Sequence, residues 1–507
     1  MRSGATSLFQ WCAQRGLLVC VILGALPLTS CVTSPGTSSR AYQATGIKIS
    51  DPTSSTVSIW TRVTRDAVRA GDDRPLPVLR VFDKTTGAEL AIKDNALFTN
   101  GRPVVSFAKG SDRGSIRGAA VGAAGQTRVR YRMAGSEAWS ETEWLPVSPE
   151  RDFTKVFGLS GLQPGTHYAV EVQARKNSAD RFASVIHGGF RTAPAPAASA
   201  DVRFCVMTCQ QYEDRDSPDG FKIYPSMLKL QPDFFVNTGD AVYYDHGPVH
   251  ALTLDLARYH WERMFSLPAL REFYRQVGSY FMRDDHDTLA DDCHPGDRTG
   301  DFTFGDGLAV FREQTAQSLP PYRTIRWGKH LQLWLLEGRE TRSSREADRT
   351  NSPILLGAEQ VAWLESTLAG SDATFRVVLT PTPIVGPDRE TKNDNLSNAG
   401  YSAESLKIRN LFAGQKNLTV ITGDRHWQYV SRDKLNAVEE WSVGAASDAH
   451  AAGWDEDKPR PEHLFLRIRH GGFLSGAVHT NGAYPALLLQ LHDVDGAVVF
   501  EKAAAHQ

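Results

Sequence analysis

Four strand-like apolar runs in this chain each end in a short cluster of metal-binding side chains, and that arrangement narrows the fold more than any other feature. The clusters are Met207-Thr208-Cys209-Gln210, Thr238-Gly239-Asp240-Ala241-Val242-Tyr243, Arg283-Asp284-Asp285-His286-Asp287 and Thr422-Gly423-Asp424-Arg425-His426. A buried strand such as Asp233-Phe234-Phe235-Val236-Asn237 ends in a loop, and ligands at several such ends can converge on one crevice. Carboxylates, imidazole, thiolate and phenolate gathered there repel one another or stay protonated unless cations offset them. A single Asp after Gly is usually a turn residue. Four clusters, each after an apolar run, predict a metal site.

At 507 residues the chain exceeds one ordinary core and predicts two domains. Arg2 and Arg15 precede the apolar stretch 16–26, which is too short for a comfortable membrane span and reads as the h-region of a signal peptide over 1–30. Leu28-Thr29-Ser30-Cys31 follows and resembles the lipobox of bacterial lipoproteins. That resemblance implies a lipidated Cys31, a flexible tether over 31–41, and an exported chain anchored to a bacterial membrane, facing the periplasm or cell surface. Of six cysteines, only Cys205, Cys209 and Cys293 remain for the folded part, so this is no disulfide scaffold. Cys205 and Cys209, four apart in a strand, are held too far apart to pair. With 56 basic and 58 acidic residues and no long Lys/Arg run, no nucleic acid-specific binding is expected.

Residues 42–193 read as short alternating strands between turns, as in Val57–Val63, Thr127–Arg132 and His167–Gln173. Leu159–Thr166 resembles the loop and strand entry of fibronectin type III domains, and a β-sandwich is expected. The Pro/Ala segment 194–200 reads as a linker. Beyond it, in 201–507, strands at Arg203–Met207, Phe234–Asn237, Tyr280–Met282, Leu331–Leu336, Arg376–Leu379 and Leu418–Ile421 alternate with helices at about Phe221–Leu230, Arg258–Gln276, Gly357–Leu368 and Ala403–Phe412. This is an α/β pattern with sheets covered by helices.

Asp240 follows the most apolar strand, where one carboxylate can bridge two cations. Tyr243, with Tyr244 as the alternative, would offer a phenolate beside the Cys209 thiolate, a pairing suited to ferric iron. In the acidic cluster one Asp would bind metal, with Asp285 favoured by its place before His286 and Asp284 the alternative; His286 would stabilise developing charge or protonate a leaving oxygen. Asp291 and Asp292 could hold calcium, although loop solvation is the favoured reading. Asp424 and His426, two apart, project the same way in extended geometry and can chelate one ion. Arg425 would then face away, so Arg339, Arg342 and Arg345 are the candidates for anion contact. His246 and His250, split by a Gly-Pro turn, read as structural or solvated.

These residues resemble the alkaline phosphatase D (PhoD-like) branch of the calcineurin-like metallophosphoesterases. A Ser-Cys-Gln-like motif corresponds to Thr208-Cys209-Gln210, Gly-Asp-x-x-Tyr to Asp240 and Tyr243, Asp-Asp-His-acid to residues 284–287, and Gly-Asp-x-His to Asp424 and His426. The resemblance implies a four-layer αββα metallophosphoesterase sandwich after an N-terminal all-β, fibronectin III-like domain. It also implies Fe(3+) and Ca(2+), or other divalent metals, at Cys209, Asp240, Tyr243, Asp284, Asp285, Asp424 and His426, with His286 and Asp240 catalytic. Thr380-Pro381-Thr382-Pro383 stands where many relatives carry a metal-binding histidine. The expected activity is hydrolysis of small-molecule phosphate mono- or diesters by a metal-activated water, in a monomer. The alternatives are another ester class, phospholipid or sulfate, and a catalytically silent cell-surface binding protein.

Overall fold

The computed structural model describes residues 40–90, 101–180, 183–317, 320–344, 353–389, 392, 394–398, 401–454, 459–481 and 484–505, which belong to one compact unit. The signal segment, Cys31, most of the tether and Arg345 lie outside the described residues. No described helix is long and apolar enough to cross a membrane.

Two sheets stack face to face. The first runs, in spatial order, Val498–Ala505, Ala486–Asp493, Gly472–His479, Val202–Met207, Phe234–Asn237, Gly278–Phe281, Ile47–Ser50, Thr56–Arg62 and Thr154–Ser160. The second runs Arg323–Trp327, Leu331–Leu335, Phe375–Thr380, Leu418–Thr422, Glu439–Ser442, Gln428–Arg432 and His463–Arg467. Phe204, Val236 and Tyr280 of the first meet Trp327, Leu333, Val377 and Ile421 of the second in a buried hydrophobic core. Helices Ile223–Lys229, Leu254–Phe265, Pro268–Tyr274 and Phe304–Thr315 contribute to the hydrophobic cluster on the outer side of the first sheet. Helices Gly357–Ala369 and Ser402–Ala413 cover the second. The result is helix, sheet, sheet, helix. Strands buried on both faces explain the near-continuous apolar runs.

The N-terminal region differs from a self-contained sandwich over 42–193. Its strands Ile47–Ser50, Thr56–Arg62 and Thr154–Ser160 continue the first sheet, with Ser50 in parallel register with Ser279. A five-stranded sheet that includes Gly125–Met133, His167–Arg175 and Ser184–Arg191 packs on them through Ile49, Ile59, Phe157, Val129, Val170 and Val172. Without that extension Gly278–Phe281 would be an open edge, and pairing removes it. Segment 194–200 therefore joins two parts of one unit.

The helix expected over 258–276 is two. Pro268 forces Leu267 into an extended conformation (φ −64°, ψ 135°), ending one helix and opening the next. Helix Phe304–Thr315 was not expected, because Gly305 and Gly307 lower its propensity; the Thr303/Asp306 capping box starts it.

Candidate metal centre

Parallel register levels the C-terminal strand ends. Met207 stands beside Asn237 and Asn237 beside Phe281 in one sheet, and Thr380, Thr422 and Ser442 line up in the other. Thr208 bridges to Ala445, closing the two sheets together at this end. Just past three strands, Cys209 (φ 51°), Asp240 (φ 55°) and Asp424 (φ 58°) adopt the left-handed conformation. Residues with a side chain seldom do so, and each such position costs on the order of 1–3 kcal/mol. Strain shared by three candidate ligands of one crevice marks a site held by the fold. The glycine before each Asp is required by close approach: a Cβ on Gly239 would lie 2.6 Å from Asp284 Cβ, and one on Gly423 2.7 Å from Thr238 Oγ1.

Asp240 is the hub. Its Oδ2 lies 3.3 Å from Cys209 Sγ and 3.1 Å from Tyr243 Oη, and His426 Nε2 is 3.4 Å from that same Tyr243 oxygen. The donor atoms of Cys209, Asp240 and His426 all lie within 4.8 Å of one another, and so do those of Asp240, Asp285 and His286. Asp240 thus belongs to two donor groups. Its Oδ1 is buried with no hydrogen-bond partner among the described residues. Such an atom is costly unless something charged or hydrogen-bonding meets it, so these residues fit a bridged pair of cations.

The two acids before His286 divide. Asp285 accepts hydrogen bonds from the backbone N–H groups of His286 (3.0 Å) and Asp292 (2.7 Å). Asp284 Oδ1 is gripped by Arg339 Nε at 2.5 Å, while its Oδ2 is buried without a partner among the described residues. Asp287 is a latch, accepting from the N–H groups of Ala241 (3.0 Å) and Asp284 (2.8 Å). Asp424 sits at the margin: its Oδ2 pairs with Arg425 Nη1 at 2.6 Å, and its N–H donates to Thr208 Oγ1 at 3.3 Å.

Burial pushes Asp240 up to about 6, and it drives the Cys209 thiol and Tyr243 phenol well above their ordinary values, with the Asp240 charge adding to both. Asp284 and Asp424 are raised well above the carboxylate range by the same burial, although Arg339 and Arg425 oppose it. His426 is depressed by burial, then by His450 and His286, which keeps its imidazole neutral and able to ligate. Burial also works against charge on His286, but Asp245, Asp285 and Asp240 outweigh it and hold His286 well above its ordinary value. Asp245 Oδ1 is 2.7 Å from His286 Nδ1.

Several expectations are corrected. Arg339 is fully buried and pinned by Asp284, Asp285 and Asp394, and Arg342 bonds to the carbonyls of Asp292 and Cys293 and to Tyr401, so neither is open to an anion. Arg425 turns inward onto Asp388 (2.7 Å) and Asp394 (2.9 Å). Tyr244 belongs to the core, accepting from Trp261 Nε1 at 2.6 Å, which leaves Tyr243 as the phenol at the site. His246 lies against Tyr243 and His286, each at 5.0 Å between ring centroids. Asp291 and Asp292 group with Asp285, yet both already pair with Lys392 at 3.2 and 3.0 Å. Two neighbours of the candidate site residues carried no motif: Asp245, beside His286, and His450, whose Nε2 is 2.8 Å from Tyr243 Oη; Arg389 lies over the neighbouring Trp427 ring, 5.3 Å from its centroid.

The crevice lies at the strand ends of a doubly layered α/β sandwich. Residues 204–446 match the family model described as PhoD-like phosphatase. The solved structure of PhoD superposes with a TM-score of 0.66 at 17% identity, covering 93% of this chain and 90% of that one. Purple acid phosphatase PPD1 from yellow lupin (Lupinus luteus) seeds superposes at 0.52 with 13% identity, covering 90% and 74%. At such identities the likeness is one of fold. No curated protein sequence matches the chain. Residues 204–446 thus match a PhoD-like phosphatase domain, the domain of a phosphoesterase enzyme, which sets aside the silent surface protein.

Proposed function

We propose that this enzyme hydrolyses small phosphate esters outside the cytoplasm with a pair of metal ions, ferric iron and calcium, held at the strand ends. The observation that carries this reading is Asp240, shared by two donor groups and left with a buried, unpartnered oxygen. Cys209, Tyr243, His426 and Asp424 would take the iron, since thiolate and phenolate together suit a small, highly charged ion. Asp240 would bridge to the second ion, with Asp285 and Asp284 as its carboxylates. Such ions polarise phosphoryl oxygens and activate the attacking water.

His286 is oriented by Asp245 through Nδ1, which leaves Nε2 for the substrate side. When protonated, it would stabilise charge gathering on the phosphoryl group or protonate the departing oxygen. Arg389 follows the buried Asp388, to which it is tied only loosely at 3.6 Å, and its partly exposed guanidinium lies at the rim beside the His426 strand end. A fork of this kind pairs with a phosphate in two-point geometry. Lipidation at Cys31 would anchor the enzyme to the membrane as a monomer.

The test is hydrolysis of a phosphate monoester, a phosphate diester and a sulfate ester by the full chain, before and after treatment with a chelator. Phosphate ester turnover that chelation abolishes and added metal restores is the expected result. Turnover indifferent to chelation, or confined to the sulfate ester, would overturn the reading.

A further inference from the structure

We propose that Asp214 and His450 are positioning residues that hold the Tyr243 phenol oxygen at the metal crevice; this rests on Tyr243 being a metal ligand. His450 Nε2 lies 2.8 Å from Tyr243 Oη, and its Nδ1 lies 2.9 Å from Asp214 Oδ2. A carboxylate oxygen and a metal-bound phenolate oxygen both only accept, so we assign one N–H to Nδ1 toward Asp214 and a second to Nε2 toward Tyr243, the ring bridging the two as a double donor. This carboxylate–imidazole pair has the form of the outer contacts that orient metal ligands.

The pair also ties together the segments that carry the ligands. Asp214 ends the turn Tyr212–Asp214, a few residues after Cys209 on the same loop. His450 comes from the loop after strand Glu439–Ser442, where the Ala446 N–H donates to the Cys209 carbonyl at 3.2 Å and the His450 N–H to Ser447 Oγ at 3.3 Å. One loop therefore grips the backbone of Cys209 and the side chain of Tyr243 at once. The Tyr243 ring is stacked on His286 at 4.3 Å and met edge-on by His450 at 5.1 Å. Stacking fixes the ring plane, and the His450 bond fixes the oxygen along it. His450 lies beyond residue 446, where the family match ends.

The rival account is a buried histidine that is merely satisfied. A double-mutant cycle separates the two, because a residue acting through Tyr243 has nothing to act on once the hydroxyl is gone. The full chain is loaded with ferric iron, and its affinity is read by chelator competition together with the phenolate-to-iron absorption. His450→Phe is expected to lower iron affinity about 10–100-fold and to shift or weaken that absorption. Asp214→Asn should move both in the same direction, and His450→Gln, which keeps a hydrogen-bonding amide, should recover part of the loss. In a Tyr243→Phe background, His450→Phe should add nothing further. Wild-type affinity and absorption in His450→Phe, or equal losses in both backgrounds, would overturn the inference while leaving the metal centre intact. If His450→Phe fails to fold, the same criteria apply to His450→Gln and Asp214→Asn. A wild-type chain that takes up no iron would overturn the iron reading and this inference together.

Discussion

Two of the clusters of buried charge among the described residues are built in opposite ways. Where the N-terminal strands join the catalytic helices, Arg62 is fully buried and its donors are filled: Nε and Nη2 on Asp152 at 2.8 and 2.7 Å, Nη2 on Glu262 at 2.6 Å and Nη1 on the Ala120 carbonyl at 2.5 Å. Arg113 gives Glu262 a second cation at 2.6 Å. In the strand-end crevice the acids outnumber what the arginines reach, and Asp240 Oδ1 and Asp284 Oδ2 are left without partners among the described residues. A closed network has settled its own charges and acts as a joint. An open one is arranged for something the chain does not itself supply.

The contrast can be broken from either side. Asp240→Asn should lower phosphate ester turnover by about 1,000-fold, since the proposed bridging ligand would serve both ions, while thermal unfolding of the metal-free chain should show no loss of stability, because a desolvated carboxylate has been removed. Equal damage to activity and metal-free stability would make the crevice a structural joint. Arg62→Met should do the reverse: about 3–5 kcal/mol of stability lost in denaturant unfolding, because Asp152 and Glu262 remain buried without their cation, with turnover per folded molecule unchanged. Arg389→Gln should raise KM for a phosphate ester and the inhibition constant of inorganic phosphate by about 10–100-fold, with a smaller effect on kcat; unchanged phosphate inhibition would remove Arg389 from the rim.

The smallest expected effect concerns Lys48, beside the closed network. Its Nζ is buried with no hydrogen-bond partner among the described residues, 3.4 Å from the Trp60 ring centroid. Burial, with Arg62 adding, holds the amine well below its ordinary value. A base with a lowered folded pKa binds fewer protons folded than unfolded, so its contribution to stability rises with pH from the folded value up to the unfolded one. Lys48→Met should therefore stabilise the chain by about 1–3 kcal/mol at neutral pH and flatten that alkaline rise. Denaturant midpoints measured across pH check both parts.

The strand ends were legible because their signals are local: an apolar run, then Gly-Asp or an acid-rich cluster, then a reversal. Phe234–Asn237 and Leu418–Thr422 appear where the runs stand. Pairing between distant strands leaves no such trace, so nothing near Ser50 announced its alignment with Ser279. Gly307 concealed a helix for a tertiary reason, since a Cβ there would sit 1.6 Å from the Thr288 carbonyl. Arg339 was misread because a position after a strand does not reveal which acids the guanidinium will meet. His450 and Asp245 act by contact across the fold, 207 and 41 positions from their partners Tyr243 and His286, and no spacing rule reaches that far.

The most direct test is the metal content of the purified full chain, measured alongside its phosphate ester turnover in wild type and in Cys209→Ser. Bound iron with a visible phenolate absorption, both diminished together with turnover by Cys209→Ser, is the expected result. A chain that turns over phosphate esters with no bound metal, or whose metal and turnover are untouched by Cys209→Ser, would contradict the account at its centre.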